Sequence, residues 1–541
     1  MYLHHLSQLL ILSVIVLGVS SWLRKRPPRG FRKVPGPRGL PFVGNLLQLS
    51  SQPQREINVW ARQYGELFRL NLGWDTWVFI SSPEAHKEIL ESQSGITSGR
   101  PPRPVSSDVV SGGLRLVLMS YTLRWRKLRA TVHKLLTPKA SGVFKPSQEF
   151  EAKQLLYDLL VNNKNLEEFY MHVRRYTTSV VMTSTYGKRV PTWDREDYIE
   201  VYAEMDDFSR SLVPGEFIAD LFPPLARLPT WLQWWRERAL EYHRRQAHIW
   251  LKHWRNLRQQ IAEKRAPECF VKQYIESEQK KEDFSEMQGA FVAGTMIEAG
   301  SDTTSATLNS CIKYLAMSPA VQQRANEELS AVIGDHRFPT FNDEAQLPYV
   351  RAIVKEIPRM RPITRFGTPH YTTADVKYKD FFIPKNTVLS VATYALHFDP
   401  DRYDEPFVFK PERYLGHPLK AGVYAAMADP YARDHFNFGS GRRICPGMHL
   451  AENSLFITIA KILWAFQIAP PLDADGKEEA MDLSPESDEP GMITSFKKYK
   501  VRFLPRNEQR KQTLLKEWET AVSDGFYLGK VKVDINGMVV A

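Results

Sequence analysis

The chain has 541 residues, a formal net charge of +11 and three cysteines, Cys269, Cys311 and Cys445. Its charged (25%) and apolar (43%) fractions are those of an ordinary globular protein long enough for a large core. The sparse, odd set of cysteines excludes a disulfide framework and fits a reducing compartment, while the positive excess points to an anionic partner or a membrane surface.

Residues 6–23 form an apolar run without a charge, near the lower limit for a spanning helix. A cleaved signal peptide is the rival reading, but the run has no basic segment before it. Its cations follow instead: Arg24, Lys25, Arg26, Arg29, Arg32 and Lys33. By the positive-inside rule an uncleaved anchor places everything downstream in the cytosol, and its modest length suits the thin bilayer of the endoplasmic reticulum. The expected organisation is a short tail over 1–5, a transmembrane anchor over 6–23, and a basic, Pro-rich hinge over 24–41. A catalytic domain over 42–506 and a C-terminal extension over 507–541 follow.

Strand-like runs cover 67–72 and 76–80, and Ser82-Pro83-Glu84 reads as a helix start. Residues 100–113 are loop-like, with three prolines and Gly112-Gly113. The basic helical stretch that follows puts Trp125 and Arg129 on one face, where an indole N–H and a guanidinium can hold carboxylates. A solvated basic face is the plainer alternative. Residues 147–265 read as mostly helical. The tryptophans at 231, 234 and 235 suit either a membrane interface or a core.

Residues 286–317 form a long apolar run that spans a domain if helical. Within it, Ala299-Gly300-Ser301-Asp302-Thr303-Thr304 sets small residues beside an acid and a hydroxyl. Asp302 and Thr303 are poor helix formers at mid-helix, which predicts a local opening around bound oxygen and water. Glu356 and Arg359 share a helix face, with Pro358 between them predicting a distorted turn. Residues 361–370 are expected to be extended, 376–384 and 387–392 to be strands, 500–504 a strand and 510–522 a helix.

The stretch Phe436-Asn437-Phe438-Gly439-Ser440-Gly441-Arg442-Arg443-Ile444-Cys445-Pro446-Gly447 precedes an apolar helix. It sets one cysteine where a helix dipole and backbone N–H groups favour a thiolate, with arginines for an anionic ligand. A buried thiolate beside a flat ligand with carboxylates points to heme ligation.

Phe438-x-x-Gly441-x-Arg443-x-Cys445-x-Gly447 resembles the heme-binding signature of the cytochrome P450 family. Residues 299–304 resemble its oxygen-activation motif. Glu356-Ile357-Pro358-Arg359 and Phe409-Lys410-Pro411-Glu412-Arg413 resemble its structural triad. The motifs come in the family's order across roughly 35–506. The resemblance implies a mainly α fold with small β-sheets, in one large heme-binding domain. It implies heme b, iron protoporphyrin IX, with Cys445 as axial thiolate beside Phe438 and Gly447. Trp125, Arg129, His370 and Arg443 take the propionates, Asp302 and Thr303 relay protons, and Glu356, Arg359 and Arg413 form the buried triad. The substrate cavity is expected at Ile297, Ala299, Ile363, Phe366, Met492 and Ile493, whose apolar character points to a hydrophobic small molecule. The implied partners are O2, the membrane and NADPH–cytochrome P450 reductase, with cytochrome b5 as a further donor and no nucleic acid. The reading is a microsomal monooxygenase, similar to fungal enzymes of secondary metabolism that oxidise aromatic polyketides, terpenoids or alkaloids. A heme-thiolate isomerase or peroxygenase without a reductase, and a non-catalytic heme carrier or sensor, are the alternatives.

Overall fold

The computed structural model describes residues 27–540, apart from Phe42, Trp74, Pro214, 278–283 and Pro490. The expected anchor over 6–23 lies outside the described residues, and among those described no helix is long and apolar enough to cross a membrane. Among the described residues the fold is mainly helical with four small sheets.

The centre is a 31-residue helix, Glu286–Ala316, opened by Ser285, whose hydroxyl accepts from the Gln288 N–H at 3.2 Å. Its glycines serve packing. A Cβ at Gly294 would meet the Trp250 ring at 2.4 Å, and one at Gly300 would meet Val181 at 2.3 Å. The helix therefore lies close against Phe169–Tyr186 and Arg236–Ala262. It is helical throughout, so the opening expected at Asp302 and Thr303 is not present. The reason is local: the Thr303 hydroxyl donates back to the Ala299 carbonyl at 2.6 Å and leaves the helical ladder intact. The apolar Met448–Ala465 helix packs against the long helix and carries the cysteine loop at its N-terminus.

The strands expected over 67–72, 76–80 and 387–392 form, but the single strand expected over 376–384 is a hairpin that turns at Lys379-Asp380, and the strand expected over 500–504 begins at Arg502. Leu67–Leu72 and Asp75–Ile80 pair antiparallel, Val388–Val391 joins parallel to the second, and His370–Tyr371 adds antiparallel beyond it. This sheet fixes His370 in register opposite Leu389. Val376–Tyr378 pairs with Phe381–Ile383. Arg502–Pro505 pairs with Phe466–Ala469. Residues 100–113 are not wholly loop, because Ser106–Val110 closes a π-helical turn.

The buried triad forms. Arg359 donates Nε to Glu356 Oε2 and Nη2 to Glu356 Oε1, both at 2.7 Å, and Arg413 Nε reaches Glu356 Oε1 at 3.4 Å. The Pro348–Met360 helix runs through Pro358 to its end, so the distorted turn is not seen as a break. Pro358 sits in the last turn, where it forfeits one ladder bond, and its carbonyl accepts Asn437 Nδ2 at 2.5 Å.

Residues 507–540 pack as part of the body. Asn507 caps the Glu508–Asp524 helix by accepting the Arg510 N–H at 2.7 Å. Leu514 joins one core cluster, and Trp518 sits between Phe150 and Tyr157 at 5.6 and 5.7 Å. The Phe526–Leu528 and Val531–Val533 hairpin buries Leu528 and Val533 in the second cluster.

Arg359→Ala strips a fully buried carboxylate of its bidentate partner. Urea unfolding is expected to show a loss of about 3–5 kcal/mol, the usual cost of breaking a buried pair from one side. A loss under about 1 kcal/mol, the value of an exposed pair, would show that the triad does not support the fold.

Candidate functional site

A cavity of about 410 Å³, mostly apolar, lies between the long helix, the cysteine loop and the sheet. The loop is built to bring Cys445 to its wall. Gly441 has φ +55°, and a Cβ there would sit 2.1 Å from the Leu90 carbonyl oxygen, so only glycine fits. The Cys445 N–H donates to the Phe438 carbonyl at 2.8 Å, closing the loop on itself. Cys445, Phe438 and Gly447 all face the cavity.

Burial pushes the Cys445 thiol up, against the Gly447 N–H, the Arg129 guanidinium and the Met448 N–H, which pull it down. The net direction is upward, so a cation on the open side of the sulfur is what makes a thiolate stable here.

The loop is anchored from behind. Phe436 N–H donates to His397 Nε2 at 2.9 Å, and the other ring nitrogen, Nδ1, faces the Arg359 carbonyl at 3.1 Å. One neutral imidazole thus ties the triad to the cysteine loop. Sequence reasoning missed His397, which stands in no motif.

One end of the cavity gathers cations without counter-ions. Arg443 donates Nε to the Ser98 carbonyl at 2.9 Å and Nη2 to the Met119 carbonyl at 2.8 Å, with its guanidinium 3.9 Å from the Trp125 ring centroid. Arg100 donates Nε to the Val117 carbonyl at 2.9 Å and Nη1 to the Pro369 carbonyl at 2.7 Å. Arg129 donates to the Ile444 carbonyl beside the cysteine. Burial pushes Arg443 down to about 8 and Arg100 to about 9, and it lowers Arg129 too. Among the described residues no carboxylate pairs with any of the three. His370 lies beside them, buried, with Nδ1 2.9 Å from the Thr97 carbonyl. Three desolvated guanidiniums in front of an open cavity fit a flat ligand carrying carboxylates. The Trp125 N–H is already donated to the Leu116 carbonyl at 3.1 Å, so its ring supports Arg443 here. Arg100 was missed; its only sequence signal is a basic residue in a loop-like stretch.

The long helix forms the facing wall. Ala299, Gly300, Asp302 and Thr303 line it, and Asp302 stands 3.8 Å from Arg174 Nη2. Burial raises the Asp302 carboxyl, and Arg174 partly offsets it. Ile363, Met492 and Ile493 line the cavity as expected. Two expected lining residues do not. Ile297 is about 200° from Ala299 around the helix and is fully buried in the core behind it. Phe366 turns away from its neighbours and meets Phe79 edge-on at 5.9 Å. Glu298, missed although it is a carboxylate in an apolar run, lines the cavity instead.

The family model described as cytochrome P450 matches residues 34–490. The chain is 43% identical to cytochrome P450 monooxygenase pgmC of Aspergillus terreus, over 99% of this chain and 97% of that one. It is 38% identical to cytochrome P450 monooxygenase verL of Clonostachys rogersoniana, over 91% and 90%. Among solved structures, a zebra fish cytochrome P450 with abiraterone superimposes with a TM-score of 0.66 at 23% identity, over 84% of this chain and all of that one.

Four buried histidines surround this site. Burial lowers His370 to about 3 and His435 to about 4, and it takes His86 and His397 well below the ordinary 6.5. The folded protein keeps them neutral while the unfolded chain protonates them. Their stabilisation is therefore complete above about pH 6.5 and is lost as pH falls towards 4 and 3. Unfolding free energy should decline across that window, by about 1.4 kcal/mol per pH unit for each histidine. His397→Gln, which keeps a donor and an acceptor but cannot titrate, should give a shallower slope. An unchanged slope would remove His397 from this account.

Proposed function

The chain belongs to the cytochrome P450 family and is a heme-thiolate monooxygenase, and from that premise we propose that it hydroxylates or oxidises a hydrophobic small molecule of fungal secondary metabolism while attached to the endoplasmic reticulum membrane. The observation that carries the reading is Cys445 at the wall of an apolar cavity, facing a cluster of guanidiniums without counter-ions. These residues fit heme b. When bound, heme b with a cysteine ligand activates O2 using electrons that originate from NADPH.

In this reading Cys445 ligates the iron, with Phe438 and Gly447 at its sides. Arg129, Arg443 and His370 hold the propionates, joined by Arg100, and Trp125 supports them through its ring. These residues would hold the group at its metal and its carboxylates, and the long helix forms the opposite wall of the cavity, where Ala299 presents only a methyl group. Thr303 Oγ1 and the Asp302 carboxyl, which burial raises and Arg174 partly offsets, would relay protons there. Ile363, Met492 and Ile493 exclude water and orient the substrate.

Electrons come from NADPH–cytochrome P450 reductase, with cytochrome b5 as a second donor. Support comes from the exposed basic residues Arg124, Arg126 and Arg442 near the cysteine loop, which steer an acidic partner. Membrane attachment is supported by Trp231 and Trp234, exposed at 81% and 68% among basic residues.

The reduced holoprotein should bind carbon monoxide with the red-shifted absorption of sulfur-ligated heme, and Cys445→Ser should lose it. With reductase, NADPH consumption should depend on substrate, and Thr303→Ala should raise the peroxide released per NADPH severalfold. NADPH use without any dependence on candidate substrates, or full coupling in Thr303→Ala, would overturn the monooxygenase assignment or the proton role respectively.

A further inference from the structure

We propose that Asp197, Glu200 and His253 form a binding site for a divalent transition metal, zinc by the character of its donors, which ties the Glu196–Ser211 helix to the Arg236–Ala262 helix. The site lies outside the cavity, and the inference does not depend on the heme reading.

Asp197 and Glu200 stand three apart near the start of the Glu196–Ser211 helix and so share a face. His253 comes across from the C-terminal half of the Arg236–Ala262 helix, which packs against the first. A ring nitrogen of His253 and one carboxylate oxygen from each acid all lie within 4.8 Å of one another. Zinc bonds of roughly 2.1 Å in a tetrahedral site set donor atoms roughly 3.4 Å apart, so a closing movement of about an ångström completes the site. Glu200, half-buried on a flexible stem, supplies that movement.

The helix N-terminus by itself accounts for two acids. It does not account for the histidine. His253 is only 2% exposed, and its Nε2 has no hydrogen-bond partner. Buried polar atoms are rarely left so. Two ammonium groups belong to the same cluster: Lys188 donates to Asp197 Oδ1 at 2.7 Å, and Lys252 donates to Glu200 at 3.0 Å and to Glu196 Oε1 at 3.1 Å. Neither donates to Nε2. Tyr186 packs on the imidazole with ring centroids 5.5 Å apart and holds it in place. Burial, Lys188 and Lys252 lower His253 to about 4 against the pull of Asp197 and Glu196. The ring is therefore neutral near pH 7 and keeps a lone pair for a metal.

The lysines make the cluster stable when empty without closing it. The Lys188 side chain is 37% exposed and turns to solvent when Asp197 takes the metal, while Lys252 keeps Glu196 when Glu200 leaves it. The exposed Arg195 also faces Asp197. A nitrogen donor beside two carboxylates selects zinc and its neighbours over magnesium and calcium, which take oxygen ligands. Three protein donors leave a fourth position for water. Further along, the Glu196–Ser211 helix presents Met205 and Phe208 to the cavity, so a metal near its start stiffens the element that carries part of that wall.

The test uses the full, heme-loaded chain, stripped with a chelator and dialysed against about 10 µM free zinc. The wild type should hold one equivalent more zinc than His253→Gln or Glu200→Gln. Each variant should bind that equivalent at least about tenfold more weakly, since even outer-shell changes cost a metal site that much. Zinc should raise the melting temperature of the wild type and leave those of both variants unmoved. Magnesium at the same concentration should do neither. Equal zinc in the wild type and both variants would mean adventitious surface binding only and would overturn the proposal, as would a magnesium effect equal to that of zinc. Glu200→Gln, at a half-buried position, decides the matter where His253→Gln fails to fold, and carbon monoxide binding by each preparation reports whether it has.

Discussion

The structure depends on keeping a sulfur ready to be an anion inside an apolar body. Burial works against Cys445, so the surrounding chain must hold the sulfur in place until a metal compensates it. The support is a chain of polar contacts running away from the cavity. Cys445 N–H bonds to Phe438, Phe436 N–H bonds to His397, and the His397 ring meets the carbonyl of Arg359, whose side chain grips Glu356. Asn437 adds a second tie, donating to Pro358 through its side chain and accepting the Ile363 N–H at 2.9 Å. The triad therefore does more than join two helices. It is the fixed point from which the loop is suspended, which accounts for burying the Glu356 and Arg359 charges, with Arg413 half-buried beside them, where apolar side chains would pack more cheaply.

What could be read from the sequence was whatever the chemistry demands at fixed local spacing. The cysteine loop, the acid and hydroxyl of the long helix and the Glu-x-x-Arg pair are each written within a dozen residues, and strand alternation gave the sheet almost residue by residue. What could not be read is assembled across the chain. Arg115 and Glu298 are 183 positions apart, and His397 and Phe436 are 39 apart. Nothing local marks either pair. Ile297 and Phe366 failed for another reason: composition says that a residue is apolar but not which way it points, and helix phase turned one into the core while the sheet claimed the other. The opening expected at Asp302 failed because Thr303 satisfies its hydroxyl within the helix.

The C-terminal extension was legible as carrying a helix but not as part of the core. Arg510 explains its attachment. Its buried guanidinium bonds to Asp335 at 2.6 Å and to the Trp464 carbonyl at 2.9 Å, at the end of the helix that begins at the cysteine loop. The hairpin beyond it closes over Arg189, which donates to the Ile535 carbonyl and to Glu151. The tail thus covers a polar cluster that would otherwise meet solvent.

Buried charge in this protein sorts by whether it has a partner of its own. Glu151 with Arg175 and Arg189, Glu356 with Arg359 and Arg413, and Arg361 with Asp488 are paired within the chain and hold elements together. Among the described residues Arg100, Arg129 and Arg443 have no carboxylate partner, and all three line the cavity that Cys445 also lines. Desolvated cations without counter-ions are costly in a purely structural role, and the function proposed above offsets that cost with a ligand that carries carboxylates.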